Sequence, residues 1–335
     1  MTHSDDQRLT TLLHEAVDDV EPTDRLTQVR AGVRRQRTRR LWVISGGGAV
    51  IAAAASVAVI AAVSSPRTSA GPEPGPATNP PSVSPSSTDA STEPTPPPGV
   101  ALPVYYLGDS DGQPKLYREF HHEPVATPVS SLIALTSTPD DPDYRTLWPT
   151  GAFAGADQGN DLITVQLADG SLHDRPPTMS AAEAEASIQQ VVYTMQAMAQ
   201  QRLPVQFTLN GNPIDQVLGV PTSEPLANAP ILQTLSRVNL TTPAEGQEVT
   251  GTLDVEGVSN SFEANVPWLI EDSAGTDVAS GAITAEGYMD TKLFPFHDSL
   301  DVSSLDPGTY TFIVMTDDPS GAGNVDQDSR TVIIK

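Results

Sequence analysis

The sequence predicts a mixed α+β unit followed by an all-β sandwich, both carried beyond a single transmembrane helix and a disordered Pro-rich linker. Three observations predict this. Leu41–Val63 is a 23-residue stretch without a charged residue. Pro66–Pro98 places eleven prolines among 33 residues. Past residue 101 the hydrophobic period changes once, from interleaved strand and helix patterns to short alternating runs alone.

Composition narrows the function classes before any motif is considered. The 335 residues suit about two domains. A formal charge of -24 leaves no overall basic field for a phosphate backbone, so nucleic acid is not an expected partner. With no cysteine, a disulfide framework, a thiolate zinc site and a cysteine nucleophile are excluded. The 15 Arg against 3 Lys, with abundant Ala, point to a high-GC bacterial coding sequence of the actinobacterial kind. Charge is also segregated. Arg30 to Arg40 holds six Arg and no acid, whereas residues 101–335 hold nine basic against 32 acidic residues.

As a helix, residues 41–63 would extend about 34 Å, enough for a bilayer core. The six Arg before the span and the single Arg67 after it predict a single-pass cell-membrane protein, N-terminus cytoplasmic and C-terminal domains extracytoplasmic. The alternative is a cleaved signal peptide with Thr68-Ser69-Ala70 as a small-residue site. Against it stand the long basic region and an apolar run beyond the usual ~7–15 residues. Residues 1–40 carry Leu9, Leu12, Leu13, Ala16, Val17 and Val20 at helical spacing. That pattern serves either a docking helix or a helix resting on the inner leaflet with its Arg among lipid phosphates. The 64–100 linker favours polyproline II and reads as a stalk.

Residues 101–218 mix both periods. Val104–Leu107 and Lys115–Phe120 read as strands of a hairpin turned at Asp111-Gly112. Pro128, following Thr127, opens a short helix to about Ser137. Leu162–Leu167 alternates and stops at Asp169-Gly170. Ser180 with Glu183 forms a capping-box pattern, after which Ile188, Val191, Val192, Met195, Met198 and Ala199 mark one helix face, with the methionines as core filling. Val205, Phe207 and Leu209 alternate as a closing strand before Asn210-Gly211.

Four segments, in this order, resemble the GerMN domain of sporulation and spore germination: Val104-Tyr105-Tyr106-Leu107, Trp148-Pro149-Thr150-Gly151, Gln189-Gln190-Val191-Val192-Tyr193-Thr194, and Val205-Gln206-Phe207-Thr208-Leu209-Asn210-Gly211. The resemblance implies a GerMN-type α+β module, similar to the ring-building modules of envelope assemblies, and carries no catalytic motif.

After a linker at 219–236, residues 237–335 read as all-β. Alternating runs lie at Val249–Val255, Val266–Ile270, Tyr310–Met315 and Thr331–Ile334, separated by Pro243-Ala244-Glu245-Gly246 and Asp306-Pro307-Gly308. About 100 residues of this suit two facing sheets, with Trp268 in the core and Tyr310 placed as a corner tyrosine. Phe262-Glu263-Ala264-Asn265-Val266 with Trp268, and Pro307-Gly308-Thr309-Tyr310-Thr311, resemble the immunoglobulin-like domain of bacterial spore germination proteins, a family often found directly after a GerMN domain.

Catalytic motifs are missing: no G-x-S-x-G elbow, P-loop, G-x-G-x-x-G or H-E-x-x-H occurs. His121 and His122, adjacent on a strand, point to opposite faces and suit joint chelation poorly. Asp109-Ser110-Asp111-Gly112 reads as a turn rather than a calcium loop. Asp317, Asp318, Asp326 and Asp328 flank a loop where hard oxygen ligands for calcium would gather, with solvated acid as the plainer reading. Asn239-Leu240-Thr241 matches a glycosylation sequon by its letters only. No catalytic, cofactor or metal residue is assigned. The expectation is a non-enzymatic, membrane-anchored scaffold of the cell envelope, binding envelope proteins or peptidoglycan, and self-associating through a free strand edge at Val104–Leu107 or Val205–Leu209. The rivals are a transmembrane signalling protein with a short cytoplasmic segment and an enzyme acting on cell-wall glycan.

Overall fold

The computed structural model describes residues 99–319 and 325–335. The expected cytoplasmic segment 1–40, membrane helix 41–63 and linker up to residue 98 lie outside them. Among the described residues, no helix is long and apolar enough to cross a membrane.

The first unit opens with a long antiparallel hairpin, β1 (Val100–Ser110) and β2 (Gln113–Glu123), in unbroken register from Val100↔Glu123 to Ser110↔Gln113. Its turn residues Asp111 and Gly112 have φ of 48° and 74°, the left-handed pair that a type I′ turn demands. Helix α1 (Pro128–Leu135) is capped by Thr127, whose hydroxyl accepts the Ser130 N–H at 3.0 Å. Proline at the first turn removes an N–H that would have no partner there.

A four-stranded sheet follows, ordered β3 (Phe153–Gln158), β4 (Ile163–Leu167), β5 (Val205–Leu209), β6 (Asn212–Pro213). Strands β4 and β5 are parallel, so a tight turn cannot join them. The crossover is α2 (Ala181–Ala199). Its capping box is complete: Ser180 Oγ accepts the Glu183 N–H at 3.1 Å and the Glu183 carboxylate accepts the Ser180 N–H at 2.9 Å. Ile188, Val191, Val192 and Met195 face a core shared with Val104, Tyr106, Trp148 and Phe207, and Met198 packs against it. Ser180→Ala is expected to cost about 1 kcal/mol, read as a lower denaturant midpoint at unchanged slope.

Residues 219–236 are laid along this first unit. A small hairpin, β7 (Gln216–Val217) and β8 (Val220–Pro221), leads into it. The backbone of Leu226 then exchanges both hydrogen bonds with Val205, at 2.9 and 2.8 Å. After the single turn α3 (Ile231–Thr234), Leu235 packs with Leu107, Leu116 and Tyr193.

The second unit is a sandwich of eight strands. One sheet is ordered β10 (Gln247–Val249), β16 (Gln327–Ile334), β15 (Gly308–Met315), β12 (Asn265–Glu271), β13 (Asp277–Thr284). The other is β14 (Phe294–Asp301), β11 (Thr252–Ser259), β9 (Val238–Thr242). Val255, Val266, Phe296, Phe312 and Val332 fill the space between them. Tyr310 takes the corner position expected of it, its hydroxyl donating to the Asp306 carbonyl at 2.8 Å.

Three expectations need correction. The run Val249–Val255 is two strands in different sheets, because the chain turns at Thr250-Gly251 while the alternation of Val249, Leu253 and Val255 continues in phase. Trp268 is only half-buried: its indole covers Gly281 and its ring centroid lies 6.1 Å from that of Phe312. Neither strand expected to offer a free edge does so. Strand β5 lies between β4 and β6 with Leu226 beside it, and β1, paired on one side with β2, meets Arg145 and Thr194 on the other.

Candidate functional site

The inward face of β16 reads Asp328, Arg330, Val332, Ile334 at strict period two, and all four are buried. Val332 and Ile334 enter the sandwich core. Asp328 and Arg330 continue the same face into the contact with the first unit. There Arg330 Nη1 lies 2.5 Å from Asp141 Oδ2, 2.9 Å from Asp328 Oδ1 and 3.0 Å from the Tyr144 hydroxyl. Tyr144 donates to Asp328 Oδ1 at 2.6 Å. Asp328 and Arg330 also take up the buried backbone of β9, accepting the Leu240 N–H at 2.6 Å and donating to its carbonyl at 3.3 Å.

One guanidinium thus serves two carboxylates where water is almost absent: Arg330 is 5% exposed and Asp141 2%. Burial pushes the Asp141 carboxyl well above the usual range, even against the neighbouring Arg330. Burial works against the Arg330 charge too, and Asp328, Tyr144 and Asp141 outweigh it, holding the guanidinium firmly protonated. Burial likewise raises the Tyr144 phenol. Such a network is costly to desolvate and strongly destabilising to break, so it fixes geometry more than it adds stability.

The hairpin tip makes a second contact. Asp326 accepts from the Ser110 hydroxyl, from the Arg237 N–H at 2.7 Å and from Arg237 Nε at 3.0 Å. Tyr117 stacks on Tyr144 at 4.8 Å and donates to the Gln327 carbonyl, while the Arg118 N–H donates to Asn239 Oδ1 at 3.0 Å. Burial would raise Asp326, but the Ser110 hydroxyl and Arg237 outweigh it and hold the carboxyl below its ordinary value. A depressed folded-state value means stability that is present above the unfolded aspartate value of about 3.9 and is lost as pH falls through the lower folded one. The stability difference between wild type and Asp326→Asn, from urea titrations at successive pH values, is therefore expected to shrink as pH drops below about 4.

A third cluster lies on the β2 face shared by Tyr117, Glu119 and His121. Glu119 accepts the backbone N–H groups of Asp140 and Asp141 at 3.1 and 2.8 Å, fixing the loop that delivers Asp141 to Arg330. His121 Nε2 lies 3.0 Å from the Tyr106 hydroxyl and 3.4 Å from Glu119 Oε2. Glu119, His121 and Asp140 can each bring one ligand atom within 4.8 Å of the others. His122 points to the opposite face, as expected.

The acidic segments considered for calcium are otherwise committed. Asp109 is paired with Arg145 at 2.9 Å, Asp326 and Asp328 belong to the junction, and Asp317 accepts from the Asn265 amide at 3.0 Å. Asn239 of the sequon is buried, and its amide bonds to Ser236. The crevice between the units, lined by Asp109, Tyr117, Asp143 and Asp328, encloses about 230 Å³ including space open to solvent. The cavity proper is about 10 Å³, roughly room for one water, against the ~300–1,000 Å³ typical of small-molecule sites. Sequence reasoning missed Asp141, Tyr144 and Arg330. The available signal was a charged residue, Arg330, in phase with Val332 and Ile334.

Two families match the chain: "Sporulation and spore germination" over residues 103–215 and "Immunoglobulin-like domain of bacterial spore germination" over 237–323. No curated protein matches. Among solved structures, the tandem GerMN domains of the sporulation protein GerM from Bacillus subtilis are 14% identical, with 62% of this chain and 63% of that one covered, at a TM-score of 0.31. A putative lipoprotein from Clostridium perfringens is 18% identical over 38% of this chain and 87% of its own, at 0.25. CopC from Methylosinus trichosporium OB3b is 18% identical over 29% of this chain and 91% of its own, at 0.20.

Proposed function

We propose a function for a chain that carries a sporulation and spore germination domain followed by the immunoglobulin-like domain of bacterial spore germination: it is a non-enzymatic scaffold, anchored by residues 41–63 and presenting both domains outside the membrane on a Pro-rich stalk. The observation that carries this reading is the buried Arg330–Asp141–Asp328–Tyr144 network, which joins the two domains at fixed geometry. A binding arm needs such a joint, because partners held by separate domains are kept in register only if the domains do not swivel.

The electrostatics support a binding role over catalysis. A glycan hydrolase needs two carboxylates across a cleft, one held protonated by its surroundings. Burial raises the Asp141 and Glu245 carboxyls, and both are spent inside the protein, on Arg330 and on the Thr331 N–H at 2.8 Å. Partners are envelope proteins or peptidoglycan. Self-association uses an outer strand such as β3, which pairs only with β4.

Protease added to intact cells tests the placement. The expected product is a protected fragment ending near residue 65, and a chain that stays intact until the cells are lysed overturns it. Release of muropeptides from purified peptidoglycan by the full chain would overturn the non-enzymatic part. Crosslinking in cells would identify what the outer domains touch.

A further inference from the structure

We propose that Glu119, His121 and Asp140 form a binding site for a divalent transition ion of the zinc class. Glu119 and His121 are two apart on β2, so strand geometry places both side chains on one face. Asp140 arrives from the loop after α1, held there because its own N–H donates to Glu119. One imidazole nitrogen and two carboxylate oxygens are a donor set that zinc accepts with a fourth position left for water.

The spacing accommodates an ion. Zinc–nitrogen and zinc–oxygen distances of about 2.0–2.2 Å at a tetrahedral angle put the two ligand atoms about 3.4 Å apart. His121 Nε2 and Glu119 Oε2 are separated by 3.4 Å, longer than the ~2.7–3.2 Å of a normal nitrogen–oxygen hydrogen bond. The surroundings orient the ligands. Glu119 is fixed by two backbone N–H groups, an outer shell of the kind that aims a metal-binding carboxylate. Tyr106 donates its proton to the Ala134 carbonyl at 2.7 Å, so without an ion its oxygen accepts the His121 Nε2–H at 3.0 Å, and an ion taken by that nitrogen displaces this hydrogen bond. Asp140 is exposed and its carboxylate is able to swing onto an ion.

The ion would tie β2 to the loop that carries Asp141 and Tyr144, and so brace the junction from the first domain's side. The test uses the full chain, stripped with chelator, titrated with zinc chloride by calorimetry and with cobalt(II) by visible absorption. Wild type is expected to take up one equivalent that raises the melting temperature by about 3 °C or more at saturation and to give cobalt bands of a low-coordinate site. His121→Gln is expected to lose that equivalent and those bands. Asp140→Asn, changed only at an exposed side chain, is expected to weaken binding about 10-fold with an unchanged metal-free melting curve. Absence of binding by the wild-type chain, or a wild-type response in either variant, overturns the proposal.

Discussion

Arg330→Met is expected to destabilise the protein by about 3–5 kcal/mol, the range for removing one partner of a buried ion pair. Methionine fills the volume but leaves Asp141 and Asp328 facing each other without a cation, and the Leu240 carbonyl without a donor. Because these residues join the two domains, the loss falls on their contact. Urea unfolding of the Trp42→Phe background, followed by fluorescence of Trp148 in one domain and Trp268 in the other, is expected to change from one coincident transition to two. Coincident curves with an unshifted midpoint would refute the assigned role. Arg330→Met with Asp141→Leu should recover part of the loss, because an apolar replacement of both partners leaves fewer stranded charges.

Gly257→Val is the second large effect, about 3 kcal/mol or more. Gly257 sits at an irregularity in the β11–β9 register, and a Cβ there would run into the Asn239 carbonyl and the Phe296 ring, whose Cε1 would lie 2.8 Å away. The carbonyl is backbone, and Phe296 is 1% exposed, so neither can yield without opening the sandwich. Expression with sharply lowered melting temperature or loss to inclusion bodies is the expected outcome. A variant melting within a few degrees of wild type would show that the strands separate more easily than their packing implies.

Legibility in the sequence followed how local each signal was. Asp111-Gly112, Thr127-Pro128 and Ser180 with Glu183 act within four residues, and the structure places a turn and two helix starts there. Strands β13 and β14 escaped because they are edge strands with a single paired side, where Ser, Gly, Pro, His and Asp dilute the alternation. The junction escaped for a different reason. Asp141 and Arg330 are 189 positions apart, and nothing local in either shows that the other will neutralise it. The Glu119–His121–Asp140 cluster escaped as well: the expected strand stopped at Phe120, short of His121, and the third member depends on where the loop after α1 lands.

The long first hairpin has a mechanical consequence. The chain enters at Gly99, beside the Val100↔Glu123 rung, and eleven residues later the far end of the same strand touches the second domain through Ser110 and Asp326. A pull on the chain before Gly99, with the distal domain held at Asp326, would run lengthwise along β1. In that direction the rungs to β2 are sheared together instead of being peeled open one after another, so the hairpin is suited to serve as a tether under load.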